Sequence, residues 1–161
     1  MKLKTGIGFD AHKFENNRKL ILGGIEIPFE MGLAGHSDAD VVIHAIIDSL
    51  AGIALNKDIG NLFPDNDMAY KDIDSKILLE KTCKLIKEKG YTISNIDTEI
   101  IAQKPKLASY IPKMRKTLSE IINLDIDDIS IKATTTEKMG FTGRGEGIAA
   151  ISTALIIKDN N

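Results

Sequence analysis

The chain is poor in several residue types that mark particular protein classes. It has one cysteine, no tryptophan and four prolines in 161 residues. The single cysteine, Cys83, falls in an amphipathic helical pattern, so we expect it to be a small buried side chain rather than a reactive group. The sequence has no apolar stretch of about 18 residues and no N-terminal apolar signal region, which predicts a soluble, cytoplasmic protein with no membrane contact.

Strong charge of one sign is also missing. The net charge is −2, although 27% of the residues are charged. No basic run accompanies aromatic residues, which argues against nucleic-acid binding. The chain lacks a P-loop motif, and its glycine-rich segment at residues 143–147 precedes an apolar strand pattern rather than a helix, which excludes a dinucleotide fingerprint. Any phosphate ligand must therefore be bound by local side chains.

The remaining pattern predicts one α/β (α+β) domain spanning residues 1–161, with a layered sheet packed against helices. The apolar content of 43% is enough for one sizeable core, and no linker or repeat divides the chain. The predicted strands cover residues 2–9, 20–27, 96–103, 129–136 and 147–158. The predicted helices cover residues 38–55, 75–89 and 109–123. Gly23 and Gly24 interrupt the second strand with a bulge or turn.

The first candidate site is the pair Asp10 and His12. At alternate positions of a strand, the two side chains point to the same face. His44, on the predicted helix 38–55, is a candidate third ligand. Three protein ligands with nitrogen and oxygen donors suit zinc with an open fourth position, as in catalytic sites. The alternative is that these histidines are structural.

The helix that carries His44 has an unusual composition, since residues 38–55 contain no Lys, Arg or Glu. Ser37 is a plausible N-cap, with Asp40 at the third helical position. His44 then shares a face with Asp40 and Asp48. We predict that Asp48, one turn beyond His44, holds the second ring N–H of that ligand, as outer partners do in zinc sites. A solvent-exposed aspartate is the alternative.

Three loops contain residue types that core packing does not require. Residues 58–67 combine carboxylates with Phe63 and Pro64, which indicates a ligand loop or an Asx-rich turn. Residues 102–106 place two lysines at a strand end, as a phosphate contact or a solvated turn. Residues 133–138 end a strand with three threonine hydroxyls and Glu137, which can bind phosphoryl oxygens and a hard cation. An edge strand would explain the threonines almost as well.

In order and spacing, these segments resemble the 2-C-methyl-D-erythritol 2,4-cyclodiphosphate synthase family over nearly the whole chain. The matching segments are residues 6–12, 34–40 with His44, 58–60 with 63–65, 101–103 and 132–148. The resemblance implies a homotrimer with active sites between subunits, acting in the non-mevalonate isoprenoid pathway. The expected substrate is 4-diphosphocytidyl-2-C-methyl-D-erythritol 2-phosphate. Its 2-phosphate would attack the β-phosphorus and expel CMP, without a covalent enzyme intermediate.

The resemblance also implies a role for individual residues. Zinc would be held by Asp10, His12 and His44, and a second ion, Mg²⁺ or Mn²⁺, by Glu137. His36 and Thr135 would polarise phosphoryl oxygens. The substrate-binding residues would be Asp10, Ala11, His12, His36, Ser37, Asp58, Ile59, Gly60, Phe63, Pro64, Asp65, Asn66 and Asp67. The nucleotide-binding residues, reaching the metal of an adjacent subunit, would be Ala102, Gln103, Lys104, Pro105, Lys106, Leu107, Ala108, Ala133, Thr134, Thr135, Thr136 and Glu137.

Two features leave room for variation within the family pattern. Lys104 stands where the family often has a small residue, which adds a positive charge near the nucleotide pocket. Phe141 and Arg144 match residues that, in some members, line a cavity on the trimer axis able to hold an isoprenoid diphosphate. Two other functions use the same residues: a zinc-dependent phosphohydrolase with metal-bound water as nucleophile, and a non-catalytic trimeric binder of isoprenoid diphosphates.

Overall fold

The structure is a computed structural model that describes residues 1–64 and 66–158. Asp65, a predicted substrate-binding residue, lies outside the described residues. The strands are β1 (Lys2–Asn16), β2 (Leu20–Leu22), β3 (Ile25–Ile27), β4 (Met31–Leu33), β5 (Thr92–Ile101), β6 (Ile129–Thr134) and β7 (Gly147–Lys158). The helices are α1 (Val41–Leu55), α2 (Ile59–Leu62), α3 (Ser75–Glu88), α4 (Ile111–Ile122) and α5 (Gly140–Gly143), with 3-10 turns at Met68–Tyr70 and Ile126–Asp128.

The domain is α+β, with a mixed five-stranded sheet packed against helices. The strand order is β4-β1-β7-β5-β6, and β2 and β3 form a separate hairpin. β7 pairs antiparallel with both β1 and β5, whereas β5 and β6 are parallel. β1 and β5 therefore run in the same direction, so the segment of β1 that carries Asp10 and His12 lies at the same end of the sheet as the C-terminal ends of β5 and β6.

Helix α1 forms the centre of the core. Its residues from Val41 to Leu50 are buried except Asp48, which is half-buried. A helix that is apolar on nearly all sides is buried on nearly all sides, which explains why this segment contains no Lys, Arg or Glu. His44 is only 8% exposed, so contacts with the surrounding protein fix the orientation of its ring.

Two glycines let α1 approach β1 more closely than side chains would permit. A Cβ atom at Gly6 would lie 2.1 Å from the Ser49 carbonyl oxygen, and one at Gly8 would lie 2.1 Å from the Ala45 carbonyl oxygen. Both distances are far inside van der Waals contact. The helix therefore rests directly on the strand backbone, beside the candidate ligands Asp10 and His12 of β1.

The opposite face of the sheet is uncovered in the single chain. Leu3, Ile7 and Phe9 alternate along β1 with residues of the helix-covered face, and they are 54%, 71% and 56% exposed. Large apolar side chains exposed in a row on a sheet are typical of an interaction surface. Within the described ranges, no helix combines the length and apolar character needed to cross a bilayer.

The sequence predictions located most elements but misplaced two boundaries at the site. β1 continues to Asn16 instead of ending at Phe9, because its later residues pair with β7 and β4. Asp10 and His12 therefore lie inside a strand. The helix begins at Val41 with Asp40 as its N-cap, not at Asp38 with Ser37, because the Asp40 side chain accepts the N–H groups of Val42 and Ile43.

The remaining differences are local. The predicted second strand is a hairpin, with Gly23 and Gly24 at positive φ in its turn. β4, α2 and α5 were not predicted, since each has only three or four residues and no clear periodicity. The other predicted strands and helices are present, with ends shifted by up to four residues.

Candidate metal centre

Three side chains converge where α1 crosses β1. The Oδ2 atom of Asp10 lies 2.8 Å from Nε2 of His12 and 3.0 Å from Nδ1 of His44. The two ring nitrogens are 3.3 Å apart. The predicted set of three ligand side chains is thus assembled by the fold, with all three donor atoms within 4.8 Å of one another.

The donor triangle has the size that a small divalent ion requires. Bonds of about 2.0–2.1 Å in a tetrahedral site separate neighbouring donors by about 3.3 Å. The observed separations of 2.8–3.3 Å need only a small outward shift to reach that value. Two imidazole nitrogens and one carboxylate oxygen, all from one side of the pocket, fit a metal site with one position left for a ligand.

Both histidines present an unshared electron pair to this triangle only if their other ring nitrogen carries the proton. For His12, Nδ1 lies 2.6 Å from the carbonyl oxygen of Ala34, which accepts a hydrogen bond from it. This contact leaves Nε2 of His12 free to bind a metal. The corresponding nitrogen of His44, Nε2, lies within hydrogen-bond distance of the hydroxyl oxygens of Ser37 and Ser75.

Electrostatics at the triangle favour a charged carboxylate. Burial alone would raise the pKa of Asp10, but hydrogen bonds from the protonated rings of His12 and His44, together with their charges, outweigh it and hold that pKa well below its usual range. Burial lowers the pKa of His12, yet the Asp10 carboxylate beside it gives a net increase. The centre is therefore an anionic ligand held between two imidazoles.

The loop that precedes α1 carries His36 and Ser37 and is fixed through its carbonyl groups. Arg18 donates from Nη1 to the Gly35 oxygen at 2.8 Å and from Nη2 to the Ser37 oxygen at 2.6 Å. The N–H of Asp72 donates to the carbonyl oxygen of His36 at 2.8 Å. Three successive carbonyls are thus held, so the orientation of both polar side chains is set by distant parts of the chain.

A cavity of about 250 Å³ opens beside the donor triangle. Its lining residues are Asp10, His12, Gly35, His36, Ser37, His44, Ile59, Gly60, Phe63, Tyr70, Ile73 and Leu78. Among the described residues, the buried Nε2 atom of His36 has no hydrogen-bond partner. A buried polar atom without a hydrogen-bond partner is unusual. This atom belongs to a residue of the cavity wall, where a polar ligand would supply the missing partner.

Part of this wall was not predicted from the sequence. Tyr70, Ile73 and Leu78 give the cavity an apolar side, and Tyr70 packs edge-on against Phe63 with ring centroids 5.4 Å apart. No local motif marks these residues. The only indication in the sequence is that these residues follow the aspartate-rich loop. The hydrogen bond from the Asp72 N–H to the His36 carbonyl oxygen brings this segment to the cavity.

The structure contradicts the prediction for Asp48. Its Oδ1 atom accepts the backbone N–H of Ile59 at 2.8 Å rather than a ring N–H of His44. The outer nitrogen of His44 instead contacts Ser37 and Ser75. Asp48 therefore fixes the start of α2, a segment whose Ile59 and Gly60 line the cavity.

The aspartate-rich loop is partly a ligand wall and partly a set of caps. Ile59, Gly60 and Phe63 line the cavity. Asp58 is the N-cap of α2 and Asp67 caps the following 3-10 turn. Pro64, Asn66 and Asp67 are exposed and lie outside the lining. Asp58 and Asp67 thus act as turn and capping residues, whereas Ile59, Gly60 and Phe63 form part of the cavity wall.

The two predicted nucleotide-binding segments lie together, at the ends of β5 and β6. The Ala102 N–H donates to the Thr134 oxygen at 3.0 Å, and the Lys138 N–H donates to Oε1 of Gln103 at 3.2 Å. Glu137 accepts a hydrogen bond from the Thr135 hydroxyl at 2.9 Å. These contacts place the hydroxyls and the carboxylate of this segment beside the loop after β5.

The nucleotide-binding segments do not reach the cavity of their own chain. None of the described residues of these segments lines it. Across the sheet, Ala11, Ala149, Ile101 and Thr134 form one row through the registers of β1, β7, β5 and β6. Three strand spacings separate the ends of this row by about 14 Å.

Three further residues of the predicted site, Leu107, Phe141 and Arg144, lie away from the cavity. Leu107 is 3% exposed and belongs to the core, so its side chain contributes to the stability of the loop after β5. Phe141 is 40% exposed in the single chain, and its predicted place in a cavity on a trimer axis stays a prediction. Arg144 is exposed and donates to Glu146 at 2.6 Å, so its charge is already paired within the chain.

The fold and the donor triangle define an α+β protein with a divalent-metal site at one end of a mixed sheet. The model of the YgbB family matches residues 3–157. The chain is 60% identical over 156 residues to 2-C-methyl-D-erythritol 2,4-cyclodiphosphate synthase of Bacteroides fragilis, covering 97% of this chain and 98% of that protein. Identity to the synthase of Clostridium acetobutylicum is 57% over 155 residues, with 96% and 100% covered.

Solved structures agree with this result. Bifunctional IspDF from Campylobacter jejuni has a TM-score of 0.94 at 42% identity and covers 99% of this chain, which spans only 43% of that longer protein. IspF from Plasmodium falciparum, in a CDP complex, has a TM-score of 0.85 at 35% identity, with 98% and 97% covered. The chain belongs to the YgbB family.

Proposed function

We propose that the chain converts 4-diphosphocytidyl-2-C-methyl-D-erythritol 2-phosphate to 2-C-methyl-D-erythritol 2,4-cyclodiphosphate and CMP, as one synthase domain. The observation that carries this proposal is the donor triangle of Asp10, His12 and His44, opening into a cavity with His36 and Ser37 on its wall. The names of the relatives give the cyclic product, and the substrate and the release of CMP follow from the family resemblance. The CDP complex of a related structure supports a cytidine diphosphate ligand.

In the proposed reaction, an oxygen of the 2-phosphate forms a bond to the β-phosphorus, and the bond between that phosphorus and the bridging oxygen of CMP breaks. Zinc would be held by the donor triangle, and Mg²⁺ or Mn²⁺ by Glu137 together with substrate phosphates, as magnesium sites are commonly built. When bound, such ions supply Lewis-acid stabilisation and charge neutralisation.

The residues of the chain would orient the substrate and balance its charge. His36, with its unpartnered Nε2, and Thr135 would bind phosphoryl oxygens whose charge grows in the transition state. The wall of Ile59, Gly60 and Phe63 would hold the methylerythritol part. No side-chain nucleophile is required, because positioning and charge stabilisation supply most of the catalysis in phosphoryl transfer.

We further propose that the active form is a homotrimer with a shared site. Three observations support this. The cavity is lined by no described residue of the nucleotide-binding segments, and β1 exposes an apolar row on its outer face. A cavity of about 250 Å³ is also too small for the whole nucleotide substrate, since pockets for drug-sized ligands are about 300–1,000 Å³. The nucleotide-binding segments would then come from an adjacent subunit.

The reaction is tested by incubating the protein with the cytidyl substrate, Zn²⁺ and Mg²⁺ and following the phosphorus NMR spectrum. We expect a cyclic diphosphate and CMP in equal amounts. Release of inorganic phosphate or a linear diphosphate would instead establish a phosphohydrolase. Absence of any turnover, with an isoprenoid diphosphate bound, would establish the non-catalytic binder.

Sharing of the site is tested by mixing two inactive variants. His44→Ala damages the metal half, and Ala102→Trp damages the nucleotide-binding half. If mixed trimers are reassembled, some interfaces pair an intact metal half with an intact nucleotide-binding half, so we expect activity above both parents. Parental background in mixed trimers that mass spectrometry has verified would place the whole site within one subunit.

A further inference from the structure

The outer ring nitrogen of His44 lies among buried hydroxyl groups. Nε2 is 3.0 Å from Oγ of Ser75 and 3.2 Å from Oγ of Ser37. Nδ1 of the same ring faces Asp10 and His12. A neutral imidazole has one N–H and one unshared pair, so the partners of Nε2 decide whether Nδ1 is available to a metal.

Ser75 has only one proton to donate, and Asp38 accepts it. The Ser75 hydroxyl donates to Oδ1 of Asp38 through a short hydrogen bond, and the Ser75 backbone N–H donates to Oδ2 at 3.0 Å. An ionised carboxylate only accepts hydrogen bonds, so this direction is fixed. The Ser75 oxygen is then left as an acceptor for the N–H of His44.

Ser37 is compatible with the same arrangement. Its Oγ atom accepts the N–H of Ala39 at 3.2 Å, and its own proton is not committed to another described group. If Nε2 of His44 carries a proton, that proton points to the two serine oxygens. The hydroxyl proton of Ser37 then remains free to be donated into the cavity that this residue lines.

We propose that Asp38 and Ser75 act as a positioning pair for the metal ligand His44. The pair holds His44 in the tautomer with the proton on Nε2 and leaves Nδ1 unprotonated toward the donor triangle. The contacts join the loop before α1 to the first residue of α3, and Ser75 is fully buried. The inference rests on the proposed metal site, but on none of the substrate chemistry.

Burial makes the direction of this hydrogen-bond chain consequential. In a buried site, reversing one hydrogen bond leaves a donor facing a donor, and no water is available to satisfy either group. Outer partners of metal-binding histidines typically contribute about 10- to 100-fold to metal affinity or activity. We expect the Asp38–Ser75 pair to contribute within this range to zinc affinity.

The first experiment uses the unaltered protein. Two-bond ¹⁵N–¹H correlation spectra distinguish the two imidazole tautomers, and His44→Gln identifies the signals. We expect an Nε2–H signal for His44 in the zinc-loaded protein and, at mildly alkaline pH, in the chelator-treated protein. A proton on Nδ1 in the chelator-treated protein would overturn the proposal without any variant having to fold.

The second experiment measures zinc affinity by competition with a chromogenic chelator. Ser75→Ala removes the acceptor, and we expect zinc to bind about 10- to 100-fold more weakly, with a mixture of His44 tautomers in the spectrum. Ser49→Ala is the matched control: Ser49 is also fully buried, but its hydroxyl donates to the Ile46 carbonyl at 2.8 Å, away from the ring. Its zinc affinity should equal that of the unaltered protein.

Asp38→Asn provides an independent variant, because an amide cannot accept at both ends as the carboxylate does. We expect it to weaken zinc binding in the same direction as Ser75→Ala. Equal zinc affinity in Ser75→Ala, Asp38→Asn and Ser49→Ala would overturn the positioning role. Failure of the unaltered protein to bind zinc would refute the proposed metal site itself, and absence of CMP release with normal zinc binding would refute only the proposed reaction.

Discussion

The metal half and the nucleotide-binding half of the proposed site differ in how far one chain determines them. The metal half consists of Asp10, His12 and His44 with their loop, and most of its contacts are buried. The nucleotide-binding half, residues 102–108 and 133–137, lies at and after the ends of β5 and β6 and is largely exposed, apart from the buried Ala102 and Leu107. In the first, each ligand has a partner within the chain. In the second, several functional groups contact only one another.

The difference shows which side chains must be accurately placed before a ligand binds. A metal centre requires donors placed within tenths of an ångström, and burial among fixed partners provides that accuracy. Nucleotide recognition through a loop tolerates adjustment when the ligand binds. Damage to the metal half should therefore abolish zinc binding, whereas damage to the nucleotide-binding half should leave zinc in place.

The largest effect is expected from His44→Ala. Removal of one of three ligands should abolish tight zinc binding and lower turnover at least about 1,000-fold, since the ion supplies several kcal/mol of stabilisation. The measurement is zinc content together with CMP release. Asp48→Asn is the control for zinc content alone, because Asp48 is one turn away and binds Ile59 instead of the ring. Normal zinc content in His44→Ala would invalidate the donor triangle.

Asp40, which supports the metal half, should give the fold a measurable dependence on pH. Burial and the charge of Asp38 raise its pKa to about 6, although backbone N–H groups at Gly24, Ile43 and Gly23 oppose this shift. Between the ordinary value of 3.8 and about 6, the folded state binds more protons than the unfolded state. The contribution of Asp40 to stability therefore falls as pH rises through this window, by about 3 kcal/mol at most.

The measurement is the free energy of unfolding by urea, for zinc-free protein, from about pH 4 to about pH 7. Asp40→Asn should be less stable at the lower end, because its amide N–H₂ faces backbone donors, and its stability should vary less across the window. Parallel pH profiles for the variant and the unaltered protein would contradict the raised pKa of Asp40.

Glu137→Gln tests the nucleotide-binding half. Loss of the carboxylate should lower CMP release about 100-fold and raise the Mg²⁺ or Mn²⁺ concentration required, while zinc stays bound, since one charge-assisted contact is worth about 1.5–3 kcal/mol. Metal analysis and a magnesium titration provide the measurement. Glu120→Gln, an exposed change on α4, is the control. Loss of zinc from Glu137→Gln would show that the two halves are not independent.

Arg18→Ala should have a smaller effect, because it loosens a loop without removing a ligand. The change frees the carbonyls of Gly35 and Ser37 on either side of His36, and we expect about a tenfold loss in kcat/KM with zinc retained. Arg115→Ala is a close control, since Arg115 also donates to two backbone carbonyls, those of Ile126 and Ile129, away from the cavity. Equal activity in both variants would remove Arg18 from the site.

Cys83 should give the smallest effect. Burial raises the pKa of its thiol to about 12, so very little thiolate exists near neutral pH. We expect slow alkylation by iodoacetamide in the folded protein, rapid alkylation in urea, and unchanged activity for Cys83→Ala. Rapid modification of the folded protein would indicate that α3 is more open than the structure describes.

The sequence was most informative where function depends on nearby residues. The Asp10 and His12 alternation and the helical position of His44 are local patterns, and the structure brings all three together. Sequence reasoning failed where distant segments compete for the same polar group. Asp48 has the right helical spacing to support His44, but Ser75, which lies 31 residues after His44, contacts the outer ring nitrogen instead.

The N-cap of α1 shows the same limitation. Ser37, Asp38 and Asp40 are all suitable capping residues, so local propensity could not choose among them. Asp40 prevails because its carboxylate also binds the N–H groups of Gly23 and Gly24, in a hairpin that only the tertiary fold brings near. Ser37 and Asp38 are thereby left free to serve the ring of His44.

The two glycines beneath α1 have a consequence for protein engineering. The helix-covered face of β1 carries Gly6, Gly8, Asp10 and His12 at alternate positions, so the two glycines and the two ligands form one continuous row. If only the aspartate and the histidine were grafted onto another strand, the side chains at the positions of Gly6 and Gly8 would hold the helix away from that strand. The third ligand, His44 on the helix, would then be too far from the other two. The transferable unit is therefore Gly-x-Gly-x-Asp-x-His together with its helix, in which two missing side chains are as necessary as the two that bind.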